Sequence, residues 1–335
     1  MIRHATLLVA LASIAAAQAP DSSRRAAPLA AVTITATRSA RSTFDTPQPV
    51  TVFDSARLAE SHPNGIADLF RDVAGLDASG VGPNQRRPEI RGQRGQRVLL
   101  LGDGLRLNNT RRQQDFGELP AIAGISSIER VEVVRGPSSV LYGTDAIGGV
   151  VNLISAGVPR TLQSRGVHGA LTYRYGSAGT ASTPDLFLLS RIGRLGVRVS
   201  AEYRDASEYS APSGSFGNIT LNQSAIIHDS GVRDHAAHAA FTYDVAKTGE
   251  LFARVDAYSA RHAGFGYIDP LLLGPTQPKI QILYPDQDYT RYTAGYRANA
   301  LTLAVADRVD ISAYVQRNAR HLDQNIFIPI PPTAN

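Results

Sequence analysis

The side chains best suited to ligand chemistry in this sequence are the arginines that crowd residues 86–115. These arginines are Arg86, Arg87, Arg91, Arg94, Arg97, Arg106, Arg111 and Arg112, and the acidic residues among them are Glu89, Asp103 and Asp115. A planar guanidinium donates paired hydrogen bonds to carboxylates, phosphates and hydroxamate- or catecholate-type oxygens. The stretch therefore predicts a binding site for an anionic ligand.

Residues that could carry out catalysis are much scarcer. The chain contains no cysteine, which excludes disulfide frameworks, thiol nucleophiles and cysteine–zinc sites. His235 and His238 could suggest a metal, but residues three apart on a strand face opposite sides. No nucleophile–base pair stands out. We therefore predict that the protein is not an enzyme and needs neither a cofactor nor a metal.

The first residues have the three-part pattern of a secretory signal peptide. Arg3 gives a basic start, residues 5–17 are apolar, and the small residues Ala15 and Ala17 favour cleavage after Ala17 or Ala19. No later apolar run approaches the length that a membrane-spanning helix needs. Residues 92–95 (Gly-Gln-Arg-Gly) match the two-glycine loop of an RNA-binding domain, but the match is short, and an exported chain is not expected to bind nucleic acid.

Two kinds of local pattern divide the remainder of the chain at about residue 160. Before it, helices are predicted at residues 54–60 and 65–72, and strands at 98–101, 105–107, 128–134 and 150–154. Glycine and proline end these elements or allow close backbone approach. The residues expected to do so are Gly136, Pro137, Gly143, Gly148 and Gly149.

After residue 160, apolar and polar residues alternate along successive strands. The clearest segments are 197–204, 237–245, 251–257, 291–299 and 309–316. Short links alternate with long ones at 205–233 and 262–288. Apolar-out, polar-in strands joined in this way are typical of transmembrane β-barrels. A soluble sandwich would also alternate, but it does not explain so regular a charged face.

Residues 128–155 (IERVEVVRGPSSVLYGTDAIGGVVNLIS) resemble the end of the plug domain in TonB-dependent outer-membrane receptors. The Arg-Gly strand at Arg91 and Gly92 and the Gly102-Asp103-Gly104 turn resemble the same family. Gly102 departs from it, because a bulky apolar residue is usual there. The resemblance implies a structural role for Arg91, Gly92, Arg135, Gly136, Pro137, Gly143, Gly148 and Gly149. The alternative to ligand binding is that half of the arginines in the basic stretch pair with acidic residues on the barrel wall, as we expect of Arg91 and Arg135.

The resemblance further assigns partners and sites. Residues 31–38 form a short β-branched segment with no predicted pairing partner, and they resemble the family's TonB box, although its usual leading acidic residue is missing. The alternative is that the segment is simply the first strand of the plug. The predicted TonB-binding residues are Val32, Thr33, Ile34, Thr35 and Ala36. The predicted ligand-binding residues at the plug apex are Asn84, Gln85, Arg86, Arg87, Asn108, Asn109, Arg111, Arg112, Gln113 and Gln114.

The expected fold is mainly β: an N-terminal α+β plug domain followed by the first strands of an antiparallel transmembrane β-barrel. The sequence gives about 7 strands, whereas a barrel filled by a plug has about 22. We therefore expect an N-terminal piece of a receptor. Its expected parts are a signal peptide (1–17), a linker with the TonB-box-like segment (18–43), the plug (44–160) and the first part of the barrel (161–335).

The predicted function is energised import of a scarce chelate or cofactor across the outer membrane. A ferric siderophore is favoured, then cobalamin, then haem. Expected partners are TonB, the outer-membrane lipid and the small-molecule chelate. The alternative is a role without energy coupling, as a passive porin or a surface-binding barrel protein.

Overall fold

The computed structural model describes residues 32–33, 35–37, 41–107, 122–162, 166–217, 219–273, 277–301 and 306–328. The predicted signal peptide lies outside these residues. The described residues belong to one compact unit that begins at Val32. Within that unit, two sheets carry most of the structure.

The first part of the unit, which we call the N-terminal domain, ends with the strand at Ser155. Its elements are β1 (Val32–Thr33), β2 (Arg41–Ser42), β3 (Val50–Phe53), α1 (Ser55–Ser61), β4 (Leu76–Ser79), β5 (Arg87–Ile90), β6 (Val98–Gly102), β7 (Leu105–Arg106), β8 (Ile128–Arg135), α2 (Ser139–Tyr142) and β9 (Gly149–Ser155). Five of the strands form a sheet in the order β3-β8-β9-β6-β7, in which only β6 and β9 run parallel.

Both faces of this five-stranded sheet are buried. Val133 packs in a large apolar cluster with Phe53 and Phe70. Its neighbour Val134 packs on the other face with Leu99 and Ala36. Successive side chains of a strand point to opposite faces, and the continuous apolar runs of β6, β8 and β9 therefore cover two sides.

Local signals in the sequence explain the short elements between the strands. Asp54 caps α1 by accepting a hydrogen bond from the Arg57 amide at 2.9 Å, and His62 ends the helix in the left-handed region. The second predicted helix is a 3₁₀ helix over Ile66–Phe70. Asp103 and Gly104 have φ of 55° and 78°, as a two-residue hairpin with Asp-Gly requires.

The second sheet, which we call the wall sheet, is built from long antiparallel strands. These are β10 (Val167–Gly176), β11 (Ala181–Ile192), β12 (Leu195–Ala206), β17 (Val232–Asp244), β18 (Gly249–Gly264), β19 (Lys279–Ala298), β20 (Val309–Arg320) and β21 (Asp323–Phe327). They pair in that order up to β20, and β21 pairs with the first residues of β19. The long connection between β12 and β17 carries β13 (Tyr209–Ala211), β14 (Gly214–Phe216), β15 (Ile219–Leu221) and β16 (Ala225–Ile227).

The two faces of the wall sheet differ in polarity, as the alternation predicted. Exposed large apolar side chains include Val199, Phe241, Leu251, Tyr292 and Val315, and buried polar ones include Ser200, Glu202, Arg204, His238 and Arg291. This arrangement reverses that of a soluble protein and suits strands with lipid outside and a polar interior. Among the described residues, no helix is long and apolar enough to cross a membrane.

Candidate functional site

The segment predicted to bind TonB is folded onto the N-terminal domain. Val32 and Thr33 pair antiparallel with Ser42 and Arg41, so the expectation of a segment with no pairing partner is wrong for these two residues. The turn that follows brings the chain back, which the sequence pattern did not indicate. Ile34 lies outside the described residues, and TonB binding by the segment stays a prediction.

Thr35 is held by three polar groups of the five-stranded sheet and its neighbouring helix. Its amide donates to Glu132 Oε2 at 2.8 Å, and its carbonyl accepts from the Tyr142 hydroxyl at 2.7 Å. Its hydroxyl accepts from Asn152 Nδ2 at 2.9 Å. Only 1% of Thr35 is exposed. The neighbouring Ala36 packs on the apolar face beside these contacts, so the pair Thr35–Ala36 is docked on the sheet.

Glu132 and Asn152 stand directly opposite each other on β8 and β9. Both are buried between apolar neighbours. Buried polar groups are stable only when they are hydrogen-bonded, and Thr35 supplies a partner to each. The sequence does carry a signal for this site, since a charged and an amide residue interrupt two otherwise apolar strands, but we did not predict it.

A second polar contact fastens the N-terminal domain to the wall sheet at Asp103. Its Oδ2 lies 3.1 Å from Arg254 Nη1 and 3.3 Å from Arg291 Nη2. Arg291 also donates to the Gly102 carbonyl at 2.9 Å and pairs with Asp256, which contacts His238 at 2.7 Å. We call Asp103, Arg254 and Arg291 the wall anchor.

The wall anchor corrects the predicted pairing of Arg91 and Arg135. Among the described residues, Arg135 does not reach an acid of the wall sheet: its Nη1 donates to the Ala74 carbonyl at 2.9 Å, within the N-terminal domain. Arg91 has a φ of 51°, and its amide donates to the Gly75 carbonyl. The observed charges are the reverse of those predicted: the acid, Asp103, lies on the N-terminal domain, and the arginines lie on the wall sheet.

Close approach of backbone explains the glycines at the start of β9. A Cβ on Gly149 would lie 2.4 Å from the Val134 carbonyl oxygen, and one on Gly148 would lie 2.5 Å from Gln93 Cβ. Gly136 and Gly143 have φ of 118° and 78°, and Gly92 has a φ of 74°. The Pro137 carbonyl accepts a hydrogen bond from Gln48 Nε2, so the turn after β8 is linked to the segment before β3.

The predicted ligand residues at 84–87 contact other residues of the protein. Asn84 donates to the Tyr258 hydroxyl at 2.6 Å, and Gln85 donates to Asn84 at 2.7 Å. Arg86 pairs with Asp68, and burial lowers the pKa of its guanidinium. The Arg87 guanidinium stacks on the Phe265 ring at 5.5 Å. Ligand binding by these four residues stays a prediction, but their side chains have partners inside the protein.

Other predicted residues divide between described and undescribed parts of the chain. The described residues do not include the predicted ligand residues of the second loop, which are Asn108, Asn109, Arg111, Arg112, Gln113 and Gln114.

His235 is exposed and His238 is buried on β17, so the two side chains face opposite sides of the strand. Within the described ranges, no group of three or more His, Asp and Glu residues could hold a metal ion.

Beside Thr35, a cavity of about 670 Å³ lies between the N-terminal domain and the wall sheet. Asn152, Asp103, Arg254 and Arg297 are among the residues that line it. The docked segment and the wall anchor therefore border the same space.

Comparison with known proteins shows which protein family the N-terminal domain matches. The family model of the TonB-dependent receptor plug domain matches residues 42–150. The vitamin B12 transporter BtuB of Vibrio vulnificus is 33% identical over 126 residues, covering 37% of this chain and 20% of that protein. A hemin receptor of Yersinia pestis is 30% identical over 191 residues, covering 53% of this chain and 27% of that receptor. The chain thus spans much less than half the length of these relatives.

Solved structures share the fold. A mutant of the ferric enterobactin receptor PfeA from Pseudomonas aeruginosa has a TM-score of 0.55 at 17% identity, over 83% of this chain and 42% of that one. The copper transporter OprC has a TM-score of 0.62 at 14% identity, over 82% and 38%. The family-model match identifies residues 42–150 as a TonB-dependent receptor plug domain, and the shared fold extends to the wall sheet. The chain is similar to TonB-dependent receptors, and its location is the outer membrane.

A buried ion pair on the wall sheet yields a stability prediction. Arg204 pairs with Asp234 and also donates to the Asn64 carbonyl of the N-terminal domain. The adjacent pair of the same strands, Arg233–Asp205, is 65% and 44% exposed, against 7% and 5% for Arg204–Asp234. Arg204→Met should lower the free energy of unfolding by about 3–5 kcal/mol, since it leaves Asp234 buried without its cation.

The matched control is Arg233→Met, which should change the free energy of unfolding by about 0–1 kcal/mol because exposed pairs contribute little. Both variants would be compared by denaturant titration of the receptor folded in detergent. Equal losses would contradict the role given to the buried pair.

Proposed function

We propose that the protein captures a scarce chelate or cofactor at the cell surface and imports it when TonB, the periplasmic coupling protein, moves the plug. The observation that carries this proposal is the docking of Thr35 on the plug sheet through Glu132, Tyr142 and Asn152. This docking holds the segment that TonB could bind on the plug sheet, so Thr35 must leave Asn152 before TonB can pair with the segment and pull on the plug.

The contact between plug and wall supports movement of the plug. Part of it is polar, with Asp103 between two wall arginines and Asn84 on Tyr258. Another part is apolar, since Tyr258 and Tyr289 of the wall share the apolar cluster of Phe53. Water can solvate separated charges and amides, whereas it cannot restore the burial lost when apolar surfaces separate. We infer that the polar contacts can be exchanged for contacts with water when the plug is rearranged, and that the apolar contacts set most of the cost.

The proposed parts of the chain follow the sequence predictions. Residues 1–17 act as the signal peptide, 18–43 as a linker with the TonB box, 44–160 as the plug, and 161–335 as the first part of the barrel. No catalytic step is proposed. A passive porin is not favoured, because a porin has no plug. The remaining alternative is a surface-binding protein that works without TonB.

The proposed ligand is a ferric siderophore, with cobalamin second and haem third. Relatives named for vitamin B12 and hemin, and a structural neighbour in complex with enterobactin, support a bulky chelate as the ligand class. The basic stretch favours an anionic member of that class. Neither predicted apical loop, 82–87 or 108–116, contains a histidine that could ligate haem iron.

Proline at residue 34 tests energy coupling. Ile34→Pro removes a backbone N–H and fixes φ, so the segment could no longer pair as an added strand. Uptake of the transported chelate should fall to the level of a strain without TonB, while binding to the cell surface persists. Ile34→Val keeps the strand and Ala26→Pro places the proline in the linker; both controls should transport normally. Unchanged uptake by Ile34→Pro would place the coupling site elsewhere.

Salt dependence tests the ligand. Binding of ferric enterobactin to the receptor should weaken in Arg111→Ala/Arg112→Ala and as salt rises, because exposed charges are screened over about 8–10 Å at ordinary ionic strength. Arg94→Ala is the matched control, because Arg94 belongs to the same basic stretch but pairs with Glu89. Salt-insensitive binding of cyanocobalamin that the double substitution leaves unchanged would contradict the anionic ligand and favour Gln113 and Gln114.

A further inference from the structure

A continuous chain of hydrogen bonds connects the docked segment to the wall anchor. The Asn152 side chain uses both of its polar atoms in it. Nδ2 donates to Thr35 Oγ1 at 2.9 Å, and Oδ1 accepts from the Gly104 amide at 3.0 Å. An amide group is planar, so a rotation that breaks one of these bonds also misaligns the other.

The turn that Gly104 belongs to is fixed to β9 at several points. The Asp103 amide donates to the Leu153 carbonyl at 2.8 Å. The Asp103 carboxylate accepts from the Ser155 amide at 2.9 Å and from the Ser155 hydroxyl at 2.8 Å. Those bonds orient the same carboxylate that Arg254 and Arg291 hold from the wall. The Asp103 turn therefore lies between the docked segment and the two wall arginines and has hydrogen bonds or ion pairs on both sides.

Gly102 makes the wall side of this connection possible. A Cβ at this position would lie 2.7 Å from Arg291 Nη1, so a larger residue would displace the guanidinium from the Gly102 carbonyl and from Asp103. The backbone of Gly102 lies outside the left-handed region, and its lack of a side chain is therefore needed for space rather than for conformation. The departure from the bulky residue usual in the family thus fits the presence of Arg291.

We propose that Asn152 is a positioning residue that couples docking of Thr35–Ala36 to the wall anchor, so that loosening either one loosens the other. Coupling between two sites is reciprocal. Release of the segment would weaken the hold of the wall on Asp103, and loss of the wall arginines would free the segment. The consequence for transport rests on the proposed function, whereas the coupling itself can be measured without TonB or ligand.

The absence of cysteine from the chain allows a direct measurement. Ala36→Cys would be the only thiol of the chain, at a position that is 5% exposed when docked. Its rate of reaction with a maleimide would be followed in outer membranes that carry the receptor. Asp103→Asn, Arg291→Gln and Gly102→Val should each raise this rate by about tenfold, a size common for coupled sites.

Three further variants make the test specific. Arg297→Gln is the matched control, because Arg297 lies on the same strand as Arg291 but pairs with Glu250 and Asp310; it should leave the rate within about twofold, below the range of coupled sites. Asn152→Leu should raise the rate by itself and should abolish the additional effect of Arg291→Gln. Arg291→Lys keeps the positive charge but loses the paired N–H donors of the guanidinium. It should therefore raise the labelling rate at residue 36 while the receptor stays folded.

A second thiol distinguishes coupling from general loosening. Ala67→Cys places a thiol at a buried position of the 3₁₀ helix, whose residues take no part in this chain of bonds, and its labelling rate should not respond to the anchor variants. An unchanged rate at residue 36 in the anchor variants, or equal rises at residues 36 and 67, would overturn the proposal. Failure of uptake in Ile34→Pro concerns the proposed function and has no bearing on these rates.

Discussion

Charge buried between the plug and the wall must be paired, and this requirement organises the structure around Asp103. A carboxylate removed from water is stable only with cations and hydrogen-bond donors around it. Arg254 and Arg291 supply the cations, and Ser155 supplies two donors. The tight turn at Asp103 and Gly104 presents the carboxylate at the edge of the five-stranded sheet, and Gly102 leaves room for Arg291.

The same requirement explains the polarity of the wall sheet. Strands with apolar residues outside and polar residues inside offer the plug a polar surface, and ion pairs such as Arg204–Asp234 fill it. The buried Glu132 and Asn152 of the plug sheet also need partners. Arg130 and Thr35 supply them to Glu132, and Thr35 and Gly104 supply them to Asn152. Pairing of buried polar groups thus fixes both the position of the plug and the docking of its N-terminal segment.

Periodicity and turn chemistry predicted most of the fold. The two-residue period gave β12, β17, β18, β19 and β20, while β10 and β11 were harder to place because Gly169, Pro184 and Asp185 interrupt their patterns. The site was less predictable, because contacts such as Thr35–Asn152 join residues far apart in the sequence. Glu132 and Asn152 were visible as polar residues in apolar strands, but their partner was not. Gly102 departs from the bulky apolar residue usual in the family. The structure explains the small residue, because Arg291 occupies the space that a side chain would need.

The central claim is that Thr35 must leave Asn152 before TonB can engage the segment. Thr35→Cys/Asn152→Cys tests it most directly, because the two side chains touch and the chain has no other cysteine. Binding of the purified C-terminal domain of TonB would be measured on the receptor with the disulfide formed and again after reduction. The account predicts binding only after reduction. Equal binding to the oxidised and reduced receptors would contradict it.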